Sequence, residues 1–326
     1  IAQKITEALA APFTPSMDIA LTVSPFAPRF SACMGISLFQ GTDTSVEDVM
    51  QRAESALRQA KGAGRGVVRY FDPQVDALVH HRVQVEKELR IAIETDQLRL
   101  YYQPIVGWGR NVLGYEALIR WQHPTDGILA PGAFIEIAEE TGLIVPIGEW
   151  VIRSACTQLV AFQNDPATRD LTIAVNLSAR QLAQPDIAEV IADIVKTSGA
   201  PADRLKLEIT ESMLLTNIDQ TIEKMASLSE LGIRFSLDDF GTGYSSLGYL
   251  KKLPLSQLKV DQSFVKGLLT DPVDSAIVRT IIQLAKSLGM SVIAEGVELE
   301  GQRQALASMG CKEFQGYLFG KPTPIA

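Results

Sequence analysis

Glu116, Asn176, Glu208, the adjacent Asp238 and Asp239, Lys259, Glu295 and Gln315 share one trait. Each stands in or near the end of a short run of aliphatic and β-branched residues. The runs read LGYEALIRW, LTIAVNLSA, LKLEITES, IRFSLDDFG, QLKVDQSF, SVIAEGVE and EFQGYLFGK. Carboxylates gathered from such runs repel one another unless cations sit between them. Oxygen-only donors of this kind suit Mg²⁺ or Mn²⁺ rather than zinc.

Helical patterns separate almost all of these runs, and that alternation marks a parallel sheet closed into a barrel. The strand C-termini of such a barrel meet at one face, so polar residues spread over about 200 positions converge on a single site. LRLYYQPIV and LGYEALIRW read as the first two barrel strands. Two helical stretches, AFIEIAEETGLI and GEWVIRSACTQLVAFQN, follow the loop HPTDGILAPG, and further helices are expected near 186–198, 219–231, 273–288 and 300–309. Gly232, Gly289 and Gly310 fall just ahead of strands, where a helix end needs a left-handed residue.

Ahead of the barrel, residues 1–72 hold the end of a helix (IAQKITEALAAPF), strand-like runs DIALTVS and FSACMGISLF, an amphipathic helix over 46–61 and a last strand GVVRYF. Gly62 and Gly64 close that amphipathic helix. Residues 73–96 read as a connecting helix and 97–326 as the barrel. The fold class is α/β: a TIM-like (β/α)8 barrel preceded by a partial α/β segment and a connecting helix.

The 326 residues and net charge of −8 bound the function. The length has room for one barrel of about 250 residues and some 70 more. With a pI near 5.1, a surface that binds DNA or RNA by charge is not expected. A small anionic ligand held through metals is still allowed. Cys33, Cys156 and Cys311 have neither metal-ligand nor redox spacing, which fits a reducing, cytoplasmic compartment. The longest apolar stretches, such as GLIVPIG, are far shorter than the roughly 20 residues of a membrane helix. No signal peptide is recognisable, and the start inside a helical pattern at Ile1, without an initiator Met, reads as a piece of something longer.

EALIRW, AVNLSARQL, LEITES, DDFGTGYSSLGYLKKLP, LKVD, IAEGVE and FQGYLFGKP stand in the order and at the spacing of a known family. From about Leu98 to Pro322 the chain resembles the EAL domain, a phosphodiesterase that hydrolyses cyclic di-GMP to linear pGpG. Residues 1–72 resemble, through SACMGISLF and AESALRQAKGAGRGVVRYFDP, the C-terminal part of a GGDEF (diguanylate cyclase) domain. That half departs from its pattern at Glu54, Arg58 and Gly66, while Lys61 and Arg65 stand where phosphate contacts are often made. No GGDEF-like signature occurs between Ile1 and Pro73, so no cyclase chemistry is assigned.

The resemblance implies two cations, Mg²⁺ or Mn²⁺, with Glu116, Asn176, Glu208 and Asp238 holding one and Asp238 and Asp239 the other. It implies that Glu295 orients or deprotonates the attacking water, and that Lys259 holds this water or a phosphate oxygen. Gln315 completes the hydrogen bonding and Glu298 supports it from behind. Gln103 and Leu118 are expected at the substrate, as is Arg120, which shares the face of Glu116 and Leu118 by period-2 alternation. FGTGYSSLGYL reads as a mobile loop above the site; the resemblance implies that Glu211 anchors it and that it lies near a homodimer contact.

A single glutamate at a strand end is more often a salt-bridged surface group than a ligand; the set as a whole carries the functional reading. An Asp-Asp pair can be a turn or helix cap. Lys259, inward between Leu258 and Val260, is hard to explain without an anion. His80, His81 and His123 form no triad or zinc pattern, the helix over 46–61 reads as a solvated face, and the tryptophans read as packing groups. The alternative to an active enzyme is a non-catalytic cyclic di-GMP receptor using the same pocket.

Overall fold

The computed structural model describes residues 2–10, 31–40, 44–215, 217–241 and 247–325. It divides into two compact units, Ile1–Val85 and Glu86–Ala326. In the first, strands β1 (Met34–Ile36) and β2 (Val68–Tyr70) pair in parallel, and helix Val46–Gly62 packs on β1. Ser45 caps that helix, its side chain accepting from the Asp48 N–H. The expected strand DIALTVS lies outside the described residues, as does 242–246 of the loop above the site. Helix Pro73–Glu94 begins in the first unit and ends in the second.

The second unit is a closed barrel of eight strands. Its strands are β3 (Leu98–Gly107), β4 (Val112–His123), β6 (Thr172–Asn176), β7 (Leu205–Thr210), β8 (Arg234–Phe240), β9 (Leu255–Val260), β10 (Ser291–Ala294) and β11 (Glu313–Gln315). Among the described residues, a short strand β5 (Gly127–Leu129) pairs with β4 alone. The ring runs β3-β4-β6-β7-β8-β9-β10-β11 and closes by β11 on β3. Helices Ile144–Gln163, Ile187–Ser198, Ile218–Glu230, Pro272–Ser287 and Glu300–Met309 connect the parallel strands.

The structure corrects the expected parallel sheet at one strand: β3 runs antiparallel to both β4 and β11. Only Trp108–Asn111 separate β3 from β4. Four residues can close a hairpin, whereas a parallel crossover needs a dozen or more. Part of the expected loop HPTDGILAPG is β5, which turns back on the overlong end of β4. The three glycines expected at helix ends are left-handed, with φ of 99° at Gly232, 74° at Gly289 and 104° at Gly310.

Alternation along the strands sets what lies on each side of the barrel wall. Leu205, Leu207 and Ile209 on β7, Phe235 and Leu237 on β8, and Leu258 and Val260 on β9 are fully buried, making an apolar outer face for the helices to cover. Each buried aliphatic or aromatic side chain contributes roughly 1.5–3 kcal/mol. Between them Lys206, Glu208, Ser236, Asp238, Gln257 and Lys259 occupy the other parity, so the barrel interior here is polar rather than aliphatic.

Candidate active site

Lys259 lies at the centre of the site. Its Nζ is 2.6 Å from Glu208 Oε2 on β7, 3.1 Å from Asp238 Oδ2 on β8 and 2.5 Å from Glu295 Oε1 just past β10. Glu116 is held from both sides: Asn176 Nδ2 donates to its Oε1 at 2.7 Å and Gln315 Nε2 to its Oε2 at 2.5 Å. Gln315 also donates to Gln103 Oε1 at 3.0 Å. Gln103 reaches this level because its Cα pairs with that of Glu116 across the antiparallel hairpin. Gly316 follows Gln315 with φ 153°, and a Cβ there would fall 2.2 Å from the Val297 carbonyl. No other residue lets the chain pass so close.

Asp238 and Asp239 face the same region because the backbone turns between them. Asp239 has φ 53°, the β8–β9 register shifts between Leu237 and Phe240, and the Asp239 N–H donates to Asp238 Oδ1 at 2.9 Å. Ligand oxygens of Asp238, Asp239 and Glu295 lie within 4.8 Å of one another. Glu211 is buried, and its Oε2 accepts from the Gly241 N–H at 3.4 Å, tying the segment after β7 to the end of β8.

The electrostatics are those of a site short of positive charge. Burial opposes the ammonium of Lys259, but Glu116, Glu208, Glu295 and Asp238 outweigh it and hold the group well above its usual range. Burial pushes Glu208 up to about 8 against the pull of Lys259, and drives Glu295 well above the carboxylate range. Burial and then Asp238 and Asp261 raise Asp239 to about 6. Four carboxylates thus surround one lysine. Glu208 Oε1 and Gln315 Oε1 are buried with no hydrogen-bond partner among the described residues. Buried acceptors without donors are costly, and hard divalent cations match the donor set.

A cavity of about 250 Å³ opens over this ring, lined by Glu116, Leu118, Asp238, Lys259 and Glu295 among others. A second, largely apolar cavity of about 500 Å³ adjoins it; Leu118 lines both, and Asn176 lines the second. Glu298 lies exposed on the rim of the first rather than behind Glu295, its backbone N–H donating to Gln302 Oε1 at 2.9 Å. Arg120 does not line the first cavity: its guanidinium lies 5.5 Å from the Tyr101 ring centroid. Burial lowers its pKa, with Tyr101, Tyr317 and Glu116 acting the other way. Sequence reasoning missed Asp261, Gln262 and Tyr317. Asp261 caps helix Gln262–Gly267 and bears on Asp239, and the other two line the cavity. The signal available was that LKVDQSF turns polar directly after its last aliphatic residue. His123 is a structural group, accepting at Nδ1 from the Asp126 N–H at 3.2 Å, with Nε2 3.2 Å from Glu88 Oε2.

Residues 86–322 match the EAL domain family. The chain is 38% identical over 325 residues to the bifunctional diguanylate cyclase/cyclic di-GMP phosphodiesterase MucR of Pseudomonas aeruginosa, covering 99% of this chain and 46% of MucR. It is 36% identical over 322 residues to the cyclic di-GMP phosphodiesterase PdeR of Escherichia coli, covering 99% and 48%. The solved structure of the PaMucR phosphodiesterase in a c-di-GMP complex matches with a TM-score of 0.71 at 44% identity, covering 74% of this chain and 98% of that one. The chain spans about half the length of the curated relatives it matches. Since the match takes in every strand of the barrel and every acid around Lys259, the chain belongs to the EAL domain family.

Proposed function

We propose that the barrel hydrolyses cyclic di-GMP to linear pGpG with two divalent cations, Mg²⁺ or Mn²⁺, as part of bacterial second-messenger signalling. The observation that carries this reading is the ring of Glu116, Glu208, Asp238 and Glu295 about the buried Lys259 in a chain of the EAL family. MucR and PdeR, which bear phosphodiesterase names, support the substrate.

When bound, the cations neutralise charge on the phosphate oxygens and make a site water more acidic. In this reading Glu116, Asn176, Glu208 and Asp238 hold one ion, and Asp238 with Asp239 the other. Glu295 binds Lys259 through Oε1, so its Oε2 takes the proton from the attacking water. The water oxygen bonds to phosphorus, the bond to one ribose 3′ oxygen breaks and opens the ring, and the leaving 3′ oxygen takes up a proton to become a hydroxyl as Glu295 gives its own back to solvent. Lys259 holds the attacking water or a non-bridging phosphate oxygen and offsets the charge of the acids around it. Gln315 fixes Glu116, Gln103 contacts substrate from β3, and Leu118 lines both cavities, the apolar one giving room for a base. Arg120 makes a bidentate contact to a phosphate, Glu211 anchors the segment after β8, and Glu298 supports the hydrogen-bond network around the waters.

The same proposal takes residues 1–72 as the C-terminal part of a GGDEF-like domain, 73–96 as a connecting helix and 97–326 as the phosphodiesterase barrel, working as a homodimer in a reducing cytoplasm. The alignment with bifunctional MucR over 99% of the chain supports the first segment, and three free cysteines fit the compartment. The test is to incubate the purified protein with cyclic di-GMP and Mn²⁺ and resolve the products: pGpG is expected. Tight binding without hydrolysis would instead establish the receptor.

A further inference from the structure

Directly beneath Lys259, two residues earlier on β9, Gln257 forms a second polar hub. It is 1% exposed, and all of its side-chain hydrogen bonds run to other strands. Its Oε1 accepts from Lys206 Nζ on β7 at 2.8 Å and from Ser236 Oγ on β8 at 3.3 Å. Its Nε2 donates to Ser291 Oγ on β10 at 3.2 Å and to Glu313 Oε2 on β11 at 2.6 Å. Ser236 and Ser291 are its in-register neighbours on either side, while Lys206 and Glu313 reach in from the strands beyond. One amide therefore ties together five consecutive strands.

Four of those strands carry Glu208, Asp238, Lys259 and Gln315 of the layer above, and the fifth, β10, leads to Glu295. Lys206 lies two residues before Glu208, Ser236 two before Asp238, Gln257 two before Lys259 and Glu313 two before Gln315, while Ser291 opens the strand that leads to Glu295. A barrel interior is ordinarily filled by branched aliphatic side chains. A polar layer costs desolvation and stays in place only when every member is satisfied. This one uses both donors and both acceptor positions of the amide. Its geometry is directional where aliphatic packing is not, so it fixes the heights of the five strands relative to one another. The three contacts of Lys259, all between 2.5 and 3.1 Å, depend on those heights.

We infer that Gln257 is a positioning residue for the hydrolytic site, acting through Lys206, Ser236, Ser291 and Glu313 to hold the strands that present Glu208, Asp238, Lys259, Glu295 and Gln315. The inference rests on the hydrolytic reading for its kinetic readout and on the proposed ligand set for its metal readout. Loss of a bond made directly to a metal ligand costs on the order of 10- to 100-fold in metal affinity or activity; Gln257 acts one layer further out, so the lower end of that range is expected.

The test uses the full chain with Gln257→Met, Gln257→Glu, and Gln257→Glu combined with Glu313→Gln. The combined exchange keeps the charge of the layer and lets the new carboxylate accept from Lys206, Ser236, Ser291 and the new amide at 313. Gln257→Met should lower kcat and weaken Mn²⁺ binding, read by electron paramagnetic resonance of free Mn²⁺, by roughly 10-fold or more, with KM within about twofold. Gln257→Glu alone sets two carboxylates together and should be impaired, and Glu313→Gln should restore it. Wild-type kcat and Mn²⁺ affinity in folded Gln257→Met would overturn the inference, as would a paired exchange no better than Gln257→Glu alone. If Gln257→Met does not fold, the paired exchange decides. Absence of turnover in the wild type would count against the hydrolytic reading, and Mn²⁺ affinity would still judge the positioning role.

Discussion

Lys259 Nζ lies 2.6 Å from Glu208 Oε2, with side-chain exposures of 1% and 0%. Desolvating two such charges costs several kcal/mol for each ion, and their attraction seldom returns more than that. The pair is therefore better explained by what it does to the site than by stability. Removing one partner is a different matter, since it strands a buried charge. Lys259→Met should destabilise the metal-free protein by roughly 3–5 kcal/mol in urea unfolding, and Glu208→Gln placed in the same chain should recover only part of that loss, since Asp238 and Glu295 still face the vacated position. Additive losses would mean that the two groups do not act as a pair.

Metal and pH should act on stability together. The Glu208 carboxyl keeps its proton up to about 8 in the fold against an ordinary 4.5, so between those values the folded state binds more protons than the unfolded chain. This contribution to stability is complete below the lower value and is lost as pH rises through the upper one. Divalent cations bind the ionised form, so Mn²⁺ should raise the thermal midpoint by more at about pH 8 than at about pH 5.5. An equal shift at both would argue against Glu208 as a ligand. Ca²⁺, with longer bonds and more ligands, should inhibit turnover in Mn²⁺.

Much of this was legible in the sequence, for identifiable reasons. Period-2 alternation in LKLEITES and IRFSLDDFG separates inward from outward side chains without any tertiary information, and so places Glu208 and Asp238 inside. The reversal of β3 was not legible from the periodicity of LRLYYQPIV, which reads the same in either direction; the four-residue connection to β4 carried it. Glu116 sits near the start of β4 rather than at its end because the strand runs on to pair with β5, and only the pairing reveals that. Gln257 escaped notice because one glutamine in a strand reads as surface until its four partners on other strands are known. Parity puts Arg120 on the face of Glu116 but does not fix where its long side chain ends, which is 5.5 Å from the Tyr101 ring centroid.

Two substitutions separate ion binding from proton transfer. Glu116→Ala removes the carboxylate gripped by Asn176 and Gln315 and should abolish turnover by emptying a metal position. Glu295→Gln keeps the shape and a hydrogen-bonding partner for the surroundings, so cyclic di-GMP affinity should be retained while kcat falls about 10²- to 10⁴-fold. Near-normal kcat in Glu295→Gln would remove it from the role of base.

Asp239 tests backbone and charge separately. Its φ of 53° is tolerated by Asn, Asp and Gly and is strained for β-branched residues by roughly 1–2 kcal/mol. Asp239→Asn should therefore leave the urea midpoint near wild type and weaken Mn²⁺ binding, whereas Asp239→Val should lower both. Unchanged Mn²⁺ affinity in Asp239→Asn would take this residue out of the ligand set.

A cyclase must present GTP and its metal on a signature hairpin opposite a second copy, and no GGDEF-like run occurs between Ile1 and Pro73. Glu54, Arg58 and Gly66 depart from the pattern in the part that is present. The chain should therefore make no cyclic di-GMP from GTP. The hydrolytic groups all lie in Glu86–Ala326, which forms its own compact unit, so deleting residues 1–72 should leave kcat within about twofold of the full chain, while its regulation or dimer stability is free to change. Synthesis of cyclic di-GMP, read by chromatography of a GTP incubation, would overturn the first expectation. Failure of the shortened chain to fold, read by circular dichroism, would make the N-terminal segment a structural requirement of the barrel.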